Sequence, residues 1–185
     1  MTDACYIEKI QAGETECFSI LLDRYSQSVF SLIVSIINNR EDAEELTQDV
    51  FLNAFRSLSS FQGNSLFSTW LYRIAYNAAI SATRKKKYSW LTIEESMIDN
   101  VPENEISDDI EQLEKEEQLS RLQQALEQLL PDERALVTLF YMQGKKADEI
   151  ITITGLSNSN VKTKLHRIRK KMLFLMQTME KGIKN

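Results

Sequence analysis

The sequence predicts an all-α protein built as two small helical domains joined by an acidic linker. Three observations predict it. Apolar residues recur at three- and four-residue steps along most of the chain, the spacing of one helix face. Only five glycines and two prolines occur in 185 residues, few for a sheet protein that needs many tight turns. One stretch, Thr92 to Glu117, holds eleven acidic residues against one lysine and breaks the periodicity.

A short N-terminal helix precedes the first long one, predicted over about Thr15 to Ile37. Its apolar face is Phe18, Leu21, Leu22, Tyr25, Val29, Leu32, Ile33 and Ile36. Asn38-Asn39 ends it. A second helix runs from about Glu41 to Leu58, with Asp42, Glu44 and Glu45 near its positive N-terminal end. Its stripe is Ala43, Leu46, Val50, Phe51, Ala54, Phe55 and Leu58. A polar loop, Ser59 to Asn64 with Gly63 in it, leads to a third helix over about Ser65 to Lys87.

The linker contains Pro102 and merges into a helix near Ile110. A second set of helices spans about Leu119 to Met179, opening with Leu122, Leu126, Leu129 and Leu130. Pro131-Asp132-Glu133 is a helix start, because proline fits the first helical position and acids suit the N-terminal dipole. That helix is expected to end near Gly144. Helices over Lys146 to Thr154 and Asn158 to Met179 follow, with Gly155 in the turn and Ser157 as the N-cap. Helix, short glycine turn and basic helix make a helix-turn-helix. The domain boundaries read as 1–90, 91–117 as linker, and 118–185.

The net charge of -5 conceals a strong asymmetry. Outside Thr92 to Glu117 the chain is net positive, and its cations cluster. Arg84-Lys85-Lys86-Lys87 is one run; six Lys or Arg between Lys162 and Lys171, with no acid among them, form another. Such segregation points to nucleic acid more than overall charge does. Cys5 and Cys17 are too few for a disulfide framework, and a single histidine offers no zinc spacing. No metal or cofactor is expected. No apolar run is read as long enough for a membrane span. Asp3 and Glu8 leave no room for a basic-then-apolar signal peptide, so the expected location is the cytoplasm.

The segment DAEELTQDVFLNAFRSLSSFQGNSLFSTWLYRIAYNAAISATRKKKY, from Asp42 to Tyr88, resembles region 2 of the extracytoplasmic-function sigma factors of bacterial RNA polymerase. LEQLLPDERALVTLFYMQGKKADEIITITGLSNSNVKTKLHRIRKKM, from Leu126 to Met172, is similar to region 4 of the same family. The two matches fall in the family's order. Lys145 stands where the family usually has an apolar residue, Ile151 replaces a small one, and Thr154 takes an aliphatic position. Gln62 stands where arginine is frequent, which weakens phosphate attraction.

The resemblance implies a sigma factor that binds core RNA polymerase, recognises two promoter elements and aids melting. In region 2 the loop Phe61, Gln62, Gly63, Asn64 and Ser65 would hold a base flipped from the minus-ten element, a task needing amide hydrogen bonds and stacking surfaces. Asn64, Arg73 and Asn77 would meet the non-template strand, and Arg84, Lys85, Lys86 and Lys87 its phosphates. Trp70 is divided between stacking and core, with Tyr72 and Tyr76 in the same position. Glu45, Gln48, Asp49 and Asn53 share one polar helix face, which in the family docks on the polymerase clamp helices.

In region 4 the base readers belong near the N-terminal end of the last helix. Asn158, Asn160, Lys162, Thr163 and Arg167 are the candidates, since Asn and Arg pair with adenine and guanine edges. Ser157, Lys164, His166, Arg169, Lys170 and Lys171 add backbone contacts. Val161, Leu165, Ile168 and Met172 are expected in the core. An anti-sigma partner is implied by resemblance alone. The acidic stretch reads as a solvated linker, or as a nucleic-acid mimic that folds over the basic helix.

Two other classes stay open on the residues. A conventional helix-turn-helix regulator would bind duplex operator by itself, usually as a dimer. An enzyme would need a glycine loop for phosphate, a metal cluster or a positioned base, and the sequence gathers none.

Overall fold

A computed structural model of the chain describes residues 2–85 and 115–183. α1 (Asp3–Gln11) and a 3-10 turn (Thr15–Cys17) lead into α2 (Phe18–Ile37) and α3 (Arg40–Ser57). A second 3-10 turn (Leu58–Ser60) and a loop precede α4 (Phe67–Lys85). After the linker come α5 (Lys115–Glu127), α6 (Pro131–Val137), a π-turn (Thr138–Met142), α7 (Ala147–Thr154) and α8 (Asn158–Ile183). No strand occurs among the described residues. Lys86, Lys87 and the acidic stretch up to Glu114 lie outside them.

The caps explain why the elements start and stop where they do. Asn38 closes α2 in the left-handed region at φ 57°, and its N–H donates to the Val34 carbonyl. Asn39 then caps α3: its side-chain oxygen accepts the Asp42 N–H at 2.9 Å, satisfying one orphan donor. α6 begins at Pro131, with Glu133 reaching back to accept the Leu130 N–H at 2.8 Å. The helix predicted to run on from Pro131 to Gly144 changes register instead. The Gln143 N–H donates to the Thr138 carbonyl and the Lys145 N–H to the Leu139 carbonyl, both at 2.9 Å, and the widened turn swings Gln143 and Lys145 out toward α4.

α2 lies at the centre of the molecule. Thr15–Ile37 is long and apolar enough to cross a membrane, with a mean hydropathy of 1.4, which corrects the expectation that no such run exists. Its apolar stripe is spent inside the protein: Leu21, Val29, Leu32, Ile33 and Ile36 are wholly buried, against α1, α3, α4 and α6. Leu22 and Phe55, predicted as core, are 39% and 38% exposed, because both turn toward a groove between α2 and α3.

Polar contacts join the two ends of the chain across this core. The Arg134 guanidinium on α6 is buried and donates to the Ile36 carbonyl at 2.8 Å and the Glu127 carbonyl at 3.1 Å. It thereby satisfies a carbonyl in the last turn of α2. The Tyr72 hydroxyl of α4 donates to Gln143 at 2.8 Å. One Glu149 oxygen accepts the Lys146 N–H at 3.0 Å; the other takes the Lys145 ammonium at 3.1 Å and the Thr69 hydroxyl at 3.3 Å. Burial pushes the Glu149 carboxyl up, but these three donors outweigh it and hold it below its ordinary 4.5.

Arg134→Ala is expected to lower unfolding free energy in urea by about 2–3 kcal/mol, since it strands two carbonyls and leaves a cavity; a loss near zero would show that water replaces the guanidinium freely. Glu149 gives a pH test with a fixed sign. Its folded pKa is depressed, so its contribution is full above the unfolded value and fades as pH falls through the folded one. Glu149→Gln is therefore expected to cost stability at neutral pH, with the difference from wild type shrinking below about pH 4.5. A pH-independent difference in urea midpoints would contradict this.

Candidate nucleic-acid interface

α7 and α8 form the helix-turn-helix. α7 ends at Gly155, whose φ of 76° is left-handed, and the Gly155 N–H donates to the Ile151 carbonyl at 2.8 Å. Ser157 caps α8, accepting the Asn160 N–H at 3.3 Å. Ile150, Ile153, Val161, Leu165 and Ile168 are buried between the helices, and Met172 is half-buried. The atypical Thr154 fits because its hydroxyl donates to the Ile150 carbonyl at 2.7 Å and accepts the Leu156 N–H at 3.3 Å. Ile151 is half-buried at the helix contact.

The basic residues of α8 divide into two sets. Lys171 is buried and paired with Glu133 at 2.8 Å, which corrects its reading as a phosphate contact. Lys164 pairs with Asp132 at 2.9 Å. Arg169 donates to the Tyr141 hydroxyl at 2.5 Å and lies over that ring. These three clasp α8 to α6 and the π-turn. Asn158, Asn160, Lys162, Thr163, His166 and Arg167 are exposed, with Lys170 half-buried beside them. At 100° per residue, Ser159, Thr163, His166 and Lys170 form the centre of the outward face, flanked by Lys162 and Arg167. Ser159 was missed in the sequence, although it lies one turn before Thr163. Its hydroxyl shares a hydrogen bond with Ser157 at 3.1 Å.

A second surface forms on α4 and the loop before it. Arg73, Asn77 and Arg84 are exposed along one side of the helix, while Tyr72 on the opposite side is buried. Trp70 is half-buried, its ring 5.1 Å from Phe61 and 5.7 Å from Phe67. The three rings make an aromatic base beneath the loop. Above it Gln62 and Asn64 are exposed and bonded to each other at 3.3 Å, and Gly63 turns the chain at φ 72°. Ser65 is half-buried and donates to the Leu66 carbonyl. Gln11 of α1 braces the loop, donating to the Leu58 and Phe61 carbonyls at 2.9 and 3.2 Å. Sequence reasoning missed Gln11, because nothing local links it to a loop 47 residues away. Tyr76 is half-buried, and burial raises its phenol pKa. The side chain of Lys85 lies outside the description.

A third surface lies on α3. Glu45, Gln48, Asp49 and Asn53 are all exposed. Among them stands Leu52, 53% exposed, on the same side of the helix by its i+3 and i+4 relation to Asp49 and Gln48. It borders an open groove of about 690 Å³ lined by Leu22, Phe51, Leu52 and Phe55. The sequence carried the signal for Leu52, an apolar residue between Gln48 and Asn53 outside the core stripe. Among the described residues no group of three or more His, Cys, Asp or Glu is placed to hold a metal ion.

The Sigma-70 region 2 family profile matches residues 21–88, and that of Sigma-70 region 4 matches residues 119–172. The ECF RNA polymerase sigma-E factor of Escherichia coli is 31% identical over 175 residues, covering 91% of each chain. The RNA polymerase sigma-H factor of Pseudomonas aeruginosa is 29% identical over 175 residues, covering 90% of each. In fold, the chain is similar to CnrH, solved in complex with the cytosolic domain of CnrY, at a TM-score of 0.69 and 20% identity, covering 95% of this chain and 97% of that one. It is also similar to the sigma factor RpoE of Bartonella quintana, solved with the anti-sigma factor NepR, at a TM-score of 0.64 and 20% identity, covering 86% and 96%. A helix-turn-helix with an outward basic face, a second cationic helix beside an aromatic loop, and both region matches in order place this chain in the sigma-70 family, among the ECF RNA polymerase sigma factors.

Proposed function

We propose that this chain divides promoter recognition between the two basic surfaces and docks on core polymerase through α3. The observation that carries the reading is the partition of cations on α8. Acid pairs hold Lys164 and Lys171 against α6, while Asn160, Lys162, Thr163 and Arg167 are exposed toward the N-terminal end of the helix. That is the end a recognition helix presents to the major groove. Region 4, here 118–185, reads the duplex minus-thirty-five element. Region 2, here 1–90, takes the melted minus-ten strand: Gln62 and Asn64 offer amides to an extruded base, Phe61 and Trp70 a stacking surface, and Arg73, Asn77 and Arg84 the backbone contacts.

The α3 surface suits a protein partner. Leu52 and Phe55 form an exposed apolar centre, and Glu45, Gln48, Asp49 and Asn53 a polar rim, the composition of an interface core and its edge. The partner is core polymerase, so the protein works in the cytoplasm, without chemistry of its own. An anti-sigma protein would hold it there inactive. The acidic linker, 91–117, connects the modules.

In vitro transcription with core polymerase on upstream genomic fragments tests the whole reading. New start sites sharing two spaced elements are expected; tight duplex binding by the free protein with no promoter-specific initiation would favour a conventional regulator. Leu52→Asp is expected to weaken core binding by at least tenfold, about 1.4 kcal/mol, without shifting the melting temperature; unchanged binding would remove α3 from the interface. Arg167→Ala should lose discrimination at one base pair, worth about 1–3 kcal/mol. Lys170→Ala, at a phosphate contact, should instead weaken all sequences alike and reduce the slope of log affinity against log salt, so identical effects of the two changes would contradict the separation of base readers from phosphate contacts.

A further inference from the structure

Gln11 belongs to no motif, yet the fold sets its side chain against the loop that precedes α4. Its Nε2 donates to the Leu58 carbonyl at 2.9 Å and to the Phe61 carbonyl at 3.2 Å. A primary amide nitrogen carries two protons, so both are committed to carbonyls of the 3-10 turn that ends α3. The Leu58 carbonyl also accepts the Phe61 N–H at 3.1 Å. Gln11 therefore holds that turn from outside while the backbone holds it from within. α1 is itself fixed by the burial of Ile7 and Ile10.

The other end of α1 reaches the same loop by a second route. Asp3 accepts the Tyr25 hydroxyl, and the Tyr25 ring lies 5.6 Å from Phe67. Phe67 in turn meets Phe61 edge-on at 6.1 Å and Trp70 at 5.7 Å. One end of α1 thus grips the backbone of Phe61, and the other supports, through Tyr25, the aromatic base under the loop.

We propose that Gln11 is a positioning residue for base capture: by fixing Phe61 it sets the height of Gln62 and Asn64 above the aromatic base, and so how sharply the loop discriminates a flipped base.

The role rests on the reading of this loop as the pocket for a base of the minus-ten strand. Gln62 and Asn64 are exposed and bonded to each other at 3.3 Å, which ties the amides together without tying them to the body of the protein. Gly63 between them turns at φ 72°, and a Cβ there would meet nothing within 4 Å, so no neighbour wedges the loop tip. The carbonyl of Phe61 belongs to the peptide unit that leads into Gln62, and this is the group that Gln11 holds. Amides that read a base must stay within about 0.5 Å of their productive places, and a loop that orders only on binding gives up part of the affinity it gains. Because Gln11 is exposed, water can serve the two carbonyls in its absence and the fold loses little. What is lost is the fixed place of the peptide before Gln62.

Holoenzyme assembled from bacterial core polymerase and the full chain, bound to a pool of short single-stranded DNA of random sequence, supplies the test. Enrichment of each base at each position of the selected motif gives its relative affinity, and the wild type is expected to favour one base strongly. Gln11→Glu is nearly isosteric but sets a carboxylate against two carbonyl oxygens. It is expected to cut the strongest preference by about tenfold, to leave affinity for core polymerase and for duplex DNA unchanged, and to speed amide exchange at Phe61 to Asn64 in the free chain. Gln11→Lys can still donate to both carbonyls and should keep most of the preference, while its added charge raises affinity for every base alike. Full preference in Gln11→Glu, whatever its melting temperature, would overturn the positioning role. So would a loss spread evenly over the motif together with weaker core binding, which is what general destabilisation produces. Selection of no motif at all by the wild type would instead sink the reading of the loop as a base pocket, and the role of Gln11 in base capture with it, leaving faster exchange in Gln11→Glu as the mark of a purely structural brace.

Discussion

The structure depends on burying α2. A helix with wholly buried residues at Leu21, Val29, Leu32, Ile33 and Ile36 needs neighbours around much of its circumference, and each such side chain contributes roughly 1.5–3 kcal/mol when removed from water. α1, α3 and α4 cover part of it. α6 and the π-turn, from the far side of the acidic linker, cover more. The carbonyl of Ile36 at its C-terminal end is then answered by Arg134. α3 and α4, which carry two of the candidate surfaces, are thus arranged around one element, and the loop that precedes α4 is held at its edge by Gln11.

The same economy governs the charges. Asp132 and Glu133 favour the N-terminus of α6 through its dipole, and Glu133 also caps it. They then serve a second purpose by drawing Lys164 and Lys171 inward. What remains outward on α8 is a face that mixes cations with polar side chains. Lys171 would be costly to bury without Glu133, so the acids of α6 decide which cations of α8 are held against it.

The helices and the helix-turn-helix were legible because they follow local rules. Asn38-Asn39, Pro131, Gly155 and Ser157 act within a few residues of themselves, and each marks a boundary where the backbone turns. The outward positions of Arg73, Asn77 and Arg167 follow from helical period alone. What was not legible depends on tertiary partners. Nothing near Lys171 in the chain announces Glu133, and nothing near Phe55 announces that it borders a groove shared with α2. The π-turn was invisible as well, since Thr138 to Met142 reads as an ordinary apolar helix until Gln143 and Lys145 find their partners on α4. Ile33 and Ile36 read equally as membrane or core, and only their surroundings decide.

Those partners also explain why the atypical positions cluster. Lys145 and Thr154 lie at opposite ends of α7, and each replaces an apolar residue by one whose polar atoms are satisfied in the fold. Thr154 is satisfied within its own turn and so carries no consequence beyond it. Lys145 is satisfied by Ser68, Glu149 and the Tyr72 ring, so two of these three partners belong to a different part of the chain. A buried ammonium whose partners lie across a junction stabilises one arrangement of that junction over every other. The free energy it supplies is conditional on that arrangement, whereas the apolar residue it replaces would contribute whenever it was covered, by any surface.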